Sequence, residues 1–199
     1  MLAATTDFAP FRVTICGIDE LAAHRAAGVS HVLSILDPGW PEPEAFYAFD
    51  PHRRLELRFH DVIDEGRGAT APQRRDVERL LDFGRELDAA PGSHLLVHCH
   101  AGVSRSSAAM TLILAQALPD VPDDAVLREV LRIRGKAWPN LRMIEIGDRL
   151  LGRGGALVHA THRLHRAQLD RRPELAEFMT LGGRGREVLA AQASVSPGW

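Results

Sequence analysis

Over the first hundred residues, short apolar, β-branched runs alternate with stretches of helical spacing. Arg12-Val13-Thr14-Ile15-Cys16 reads as a strand ending at Gly17, and His31-Val32-Leu33-Ser34-Ile35-Leu36 as a second, broken by Asp37-Pro38-Gly39. Between them Asp19 to Ala27 is Ala-rich and closes at Gly28, which predicts a helix. Trp40 to Pro51 carries Pro41, Pro43 and Pro51 among several aromatics and predicts a structured loop. Arg54-Leu55-Glu56-Leu57-Arg58-Phe59 alternates with period two, so it reads as a third strand with one wet face. A loop over His60 to Ala71 leads to a helix that opens at Pro72. Its apolar face is Val77, Leu80, Leu81, Gly84 and Leu87, and Pro91-Gly92 ends it. Leu95-Leu96-Val97 then forms a buried strand.

Beyond that strand the pattern is helical. Ala108 to Leu118 is apolar nearly all round and predicts a central buried helix. Pro122, Asp123 and Asp124 open another, with Val126, Leu127, Val130 and Leu131 on one face. Asn140 is placed to cap a helix striped with Met143, Ile144, Gly147, Leu150 and Leu151. Alternating strands and helices followed by helices alone predict an α/β fold. The expectation is a mostly parallel central sheet of four to five strands flanked by helices, with a helical C-terminal extension. Composition shifts after Gly152, and Gly154-Gly155 reads as a linker, so the expected division is a domain over 1–152 and an extension over 153–199. That extension is expected to pack on the domain or be partly flexible. Residues 149–199 hold eight arginines against four acids, which fits amphipathic packing helices or a basic surface recruiting an acidic or phosphorylated partner. His159, His162 and His165 recur every third residue and so spread around a helix; no metal site is expected there.

Bulk composition narrows the class. The chain has 199 residues, 45% of them hydrophobic and 25% charged, which suits one globular unit with its own core. A net charge of -2 gives no reason to expect nucleic acid or an anionic membrane as a partner. No apolar run approaches the ~20 residues of a membrane span. Met1 to Asp7 lacks the basic and apolar pattern of a signal peptide, so the expected location is cytoplasmic. Two cysteines, Cys16 and Cys99, cannot build a disulfide framework. Cys16 reads as a buried core thiol, with a reversible disulfide to Cys99 as the alternative should their strands be neighbours.

The candidate chemistry lies in His98-Cys99-His100-Ala101-Gly102-Val103-Ser104-Arg105-Ser106-Ser107. A loop of small residues between a buried strand and a buried helix turns unpaired backbone N–H groups inward, and the helix dipole adds positive charge there. Gly102 suits a turn with positive φ or a close approach. Cys99 stands where strand meets loop, and Arg105 opens the helix, where a guanidinium can grip two phosphate oxygens at once. A thiol with a free pKa of about 8.5 is activated in such a setting.

Cys, five residues, Arg, Ser, with His in front, resembles the signature of the cysteine-dependent protein tyrosine phosphatase superfamily. The resemblance runs over roughly residues 12 to 151 and includes Pro139-Asn140, similar to a Pro-Asn at a helix start in dual-specificity members. No phosphotyrosine-recognition loop of the long tyrosine-specific enzymes is found, so the compact dual-specificity-like bacterial type is the better match.

The resemblance implies hydrolysis of a phosphomonoester, phosphoprotein being the expected substrate. Cys99 would attack phosphorus to give a phosphocysteine, and Arg105 with the backbone of His100, Ala101, Gly102, Val103 and Ser104 would hold the phosphate oxygens. His98 would support the loop and Ser106 the departing thiolate. No cofactor and no metal are implied. Family members carry an acidic Asp on a mobile loop after the strand preceding the long helix, and here Asp61 lies 38 residues before Cys99. Asp64 is the reserve. The alternatives are a non-catalytic phosphate-binding module and a thiol enzyme of rhodanese or arsenate-reductase type, neither of which needs the acid.

Overall fold

The computed structural model describes residues 8–66, 68–88 and 92–196. Met1 to Asp7 and Pro91, at the expected end of the long helix, lie outside the described residues. Strands β1 (Arg12–Cys16), β2 (His31–Leu36), β3 (Arg53–Arg58) and β4 (His94–His98) form one sheet in the order β1-β4-β2-β3. Every neighbouring pair is parallel, as the alternation of strands with helical stretches predicts. The register sets Cys16 and Ser34 on either side of His98, and Leu36 beside Arg58, so the strands end nearly level. That level edge positions everything that follows.

Because side chains alternate across a strand, the sheet has two apolar faces. Val13, Ile15, Leu33, Ile35, Leu57, Leu95 and Val97 belong to the larger core, shared with the helices. Cys16, Val32 and Leu96 belong to a smaller core closed by Leu21, Val29 and Phe46. The stretch predicted as a helix over Asp19 to Ala27 is instead a 3₁₀ helix, Ile18–His24. Only Leu21 is buried in it, so there is no apolar stripe for an α-helix to pack. Its start is drawn tight by Glu20, whose carboxylate accepts the Gly17 N–H at 2.6 Å. A second 3₁₀ helix, Glu44–Ala48, lies within the proline-rich loop.

Helices α1 (Arg74–Asp88), α2 (Arg105–Ala117), α3 (Asp123–Ile133) and α4 (Leu141–Leu151) cover the larger face. Every residue of α2 from Arg105 to Ala115 is buried, which explains its nearly all-round apolar sequence. A Cβ on Gly147 would fall 2.2 Å from Leu112 Cδ2, so α4 crosses α2 at the one residue without a side chain. Asn140 caps α4 by accepting the Met143 N–H at 3.1 Å.

The C-terminal segment continues this packing. Leu157, Ala160 and Leu164 of α5 (Ala156–Arg171) enter the main core. The glycine pair before α5 is pinned, since buried Asp148 accepts the N–H groups of Gly155 (2.7 Å) and Leu157 (3.1 Å). Then follow α6 (Leu175–Met179), a segment Thr180–Arg184 kinked at Gly183, and α7 (Gly185–Ala193). Val188 and Ala191 of α7 form a separate cluster with Trp138 and Leu169. The basic excess of this segment is largely consumed internally, in contrast to the recruiting surface considered from sequence. Arg163 pairs with Asp124, Arg166 with Asp170, Arg184 with Glu187, and Arg186 with Glu145 and Asp64. His165 is buried, stacked on Trp138 at 4.1 Å and paired with the Pro139 carbonyl, apart from the edge-to-face rings of His159 and His162. No helix among the described residues is long and apolar enough to cross a membrane.

Asp148→Ala removes the acceptor for two N–H groups at the start of α5. The expected loss is about 1 kcal/mol, a fall in Tm of about 2–4 °C, read by thermal unfolding. An unchanged Tm would show that the carboxylate does not stabilise α5.

Candidate active site

Because the four parallel strands end level, the chain leaving each of them enters the same crevice, the usual place for a site in such a sheet. β1 contributes Gly17, β2 Asp37, β3 Phe59 and Asp61, and β4 the loop from Cys99 to Ser104.

The loop is held by its carbonyls. His100 O accepts from Ile18 N at 2.9 Å, and Trp138 N donates to Val103 O at 2.9 Å. Arg134 donates to Gly102 O through Nε (2.9 Å) and to Ala101 O through NH2 (3.0 Å). The same guanidinium grips both oxygens of Glu20, at 3.0 and 2.7 Å, and that pair holds the Glu20 carboxyl below its usual range. Ser104 O accepts from Ala108 N and Ser107 Oγ. By contrast, the N–H groups of residues 100–104 find no acceptor among the described residues.

Gly102 has φ +67°, and a Cβ there would lie 2.4 Å from the Cys16 carbonyl carbon. Glycine is therefore required twice over, by conformation and by the close approach of β1.

Cys99 is buried, with its Sγ 3.2 Å from Ser106 Oγ. Arg105 is also buried; its NH1 donates to Asp37 Oδ1 at 2.6 Å and to Phe59 O at 2.7 Å. The buried Arg105 Nε has no partner among the described residues. Asp37 N–H in turn donates to His100 Nε2 at 3.2 Å, and the His100 ring lies edge-on to Trp40 at 4.3 Å. Burial and the Arg105 charge push the His100 imidazole below its usual range. His98 lies beneath the loop with its Nε2 2.7 Å from Ser34 Oγ. Burial, with Arg54 next in effect, pushes its imidazole down to about 3. Both cysteines are free, and β1 does lie beside β4; burial pushes the Cys16 thiol up to about 12.

The two acidic candidates after β3 stand in different places. Asp61 Oδ1 accepts from Ser104 Oγ (2.7 Å), Asn140 Nδ2 (2.8 Å) and Arg184 NH1 (3.2 Å). Asp64 is mostly exposed and pairs with Arg186 at 3.3 Å. The loop carrying both is pinned on several sides: Asn140 Nδ2 donates to Val62 O, Arg186 to Ile63 O, and Arg142 pairs with Glu65.

Sequence reasoning missed Asp37, Ser34, Arg134, Arg184 and Glu187. Asp37-Pro38-Gly39 was read only as a strand breaker, though its place at a strand end was a usable signal. Arg134, Arg184 and Glu187 reach the crevice from helices distant in sequence, and no local pattern marks them.

No profile of a known protein family matches the chain. Human protein phosphatase Slingshot homolog 3 is 32% identical over 139 residues, which is 67% of this chain. The chain spans 18% of that protein's length. Human DUSP28 superposes with a TM-score of 0.54 at 17% identity, over 72% of this chain and 94% of that one. DUSP15 gives 0.54 at 19%, over 84% and 95%, and the active form of Tk-PTP 0.53 at 19%, over 72% and 92%. The chain has a protein-tyrosine-phosphatase-like fold. At these identities the structural likeness establishes the fold, and the parallel sheet, the flanking helices and the C-terminal helices all fit it.

His98 is neutral in the fold, and it gains a proton on unfolding at any pH below about 6.5. Its contribution to stability is complete above pH 6.5 and is lost progressively as pH falls toward about 3. His94, His162 and His165, pushed down by burial, act in the same direction. The denaturant midpoint is expected to be lower at pH 5 than at pH 7.5, with a flatter dependence in His98→Asn. Equal midpoints at the two pH values would contradict this.

Proposed function

We propose that the protein is a cysteine-dependent phosphomonoester hydrolase of the compact dual-specificity-like bacterial type, acting on phosphoprotein. What supports this reading above all is the set of unpaired donors around Cys99. The N–H groups of 100–104 and a buried Arg105 Nε have no acceptor among the described residues, in a loop whose carbonyls are all engaged elsewhere. A buried donor without a partner, such as Arg105 Nε, is costly, and a phosphate supplies acceptors for it and for the loop N–H groups. The 32% identity to a protein phosphatase over 139 residues supports the same reading.

In this mechanism the Cys99 thiolate attacks phosphorus while the bond from phosphorus to the leaving oxygen breaks. The loop N–H groups and Arg105 stabilise the charge on the equatorial oxygens. Asp37, bound to Arg105 NH1 at 2.6 Å, sets the plane of the guanidinium. Asp61 donates the proton that the leaving oxygen takes up. Its Oδ1 already accepts three hydrogen bonds, so the proton is carried on Oδ2. Water then attacks the phosphocysteine, giving its proton to Asp61. As the bond from phosphorus to sulfur breaks, Ser106, 3.2 Å from Sγ, donates to the returning thiolate. His98 stays neutral and holds the strand end through Ser34. Neither a cofactor nor a metal takes part in these steps.

Hydrolysis of p-nitrophenyl phosphate tests the assignment. Cys99→Ser is expected to abolish turnover, and Asp61→Asn to lower kcat about 10²-fold, the usual worth of a positioned acid. Asp64→Asn is expected to stay near wild type. Phosphopeptide binding without turnover by the wild type would replace the enzyme with a phosphate-binding module. A large loss in Asp64→Asn but not Asp61→Asn would move the acid.

A further inference from the structure

The C-terminal segment sends one charged side chain into the crevice. The chain kinks at Gly183, whose φ is +76°, and this kink brings Arg184 inward between α6 and α7. Arg184 is only 6% exposed. Its Nε and NH2 are bound by the two oxygens of fully buried Glu187, at 2.8 and 2.7 Å. Glu187 is itself held by Trp138 Nε1 at 2.6 Å and Leu141 N at 2.9 Å. With two of its three nitrogens locked, the guanidinium presents NH1 to the crevice, where it donates to Asp61 Oδ1 (3.2 Å) and Ser104 Oγ (3.0 Å).

We propose that Arg184 is a positioning residue for the general acid: it fixes Asp61 against the phosphate loop and leaves the second carboxyl oxygen free for the leaving group. The proposal rests on the reading of Asp61 as the acid. The charged and titratable groups facing Asp61 are Arg184 and the His100 ring, and those facing Arg184 are Asp61, Glu187 and His165. His100 and His165 are both pushed toward the neutral form by burial, and the Glu187 charge is matched by its bidentate pair. Arg184 is therefore the cation bonded to the acid. Bound through NH1, it holds Oδ1 in place, so that the rotation of the carboxyl and the direction of Oδ2 are set before substrate arrives. A segment outside the loop-bearing part of the sequence thus completes the site.

The test compares wild type, Arg184→Met, Arg184→Lys and the double variant Arg184→Met with Glu187→Gln. The double variant removes the buried carboxylate that Arg184→Met alone would strand, a change that can itself unfold a protein; all four are first checked for a cooperative melt. kcat and KM are measured at neutral pH for p-nitrophenyl and phenyl phosphate. Without the guanidinium, kcat is expected to fall about tenfold while KM stays near wild type. Phenyl phosphate, whose leaving group depends more on a proton, is expected to lose about tenfold more kcat than p-nitrophenyl phosphate. Arg184→Lys should restore part of both effects. Folded variants with an unchanged kcat, or with equal losses on the two substrates, would overturn the proposal while leaving the proposed function standing. A wild type that turns over neither substrate would overturn the function itself, and this inference with it.

Discussion

The structure depends on one constraint: the carbonyl oxygens of residues 100–104 are all engaged, so the N–H groups of the same residues are left for something else. This backbone gives its acceptors to its own scaffold and keeps its donors free, the observation on which the proposed phosphate site rests. The scaffold that takes those carbonyls is assembled from far apart, with Ile18 after β1, Arg134 after α3 and Trp138 before α4. The glycine at 102, with Cys16 and Gly17 packed against it, sets how closely the loop can lie on β1.

Around that loop the buried charges are connected rather than isolated. Arg105 is tied to Asp37, Arg134 to Glu20, and Arg184 to both Glu187 and Asp61. Desolvating such ions is costly, and removing one partner strands the other, so a buried pair contributes more to defining one arrangement than to raw stability. Glu187 shows the cost most directly. Burial pushes its carboxyl up, and four donors, two from Arg184 and one each from Trp138 and Leu141, act against that. The charges are arranged so that each cation reaching the crevice is already oriented by an anion behind it.

The loop carrying Asp61 and Asp64 is correspondingly restrained. Resemblance to phosphatases leads one to expect a mobile loop, yet Val62, Ile63, Asp64 and Glu65 are each held by a side chain from α4, its cap or α7. Asp61 takes three donors on one oxygen, Arg184 among them, and leaves the other without a partner among the described residues.

Local chemistry determined what the sequence made legible. Period-two and β-branched runs mark the strands, and the bounds of β1 and β2 follow directly from Gly17 and Asp37-Pro38-Gly39. Asn140 announces α4, and Leu95-Leu96-Val97 followed by Ala108 to Leu118 announces the strand and helix on either side of the Cys99 loop, because those features depend only on residues close along the chain. The stretch over Asp19 to Ala27 misleads for the opposite reason: alanine favours a helix, but without an apolar face to bury it settles as a short 3₁₀ helix. Tertiary structure alone decided which of Asp61 and Asp64 lies against the loop, that Asp37 orients Arg105, and that Arg184 and Glu187 join the crevice. Those are contacts between residues up to 123 positions apart. Only the level ends of four parallel strands and the packing of the C-terminal helices bring them within hydrogen-bonding distance.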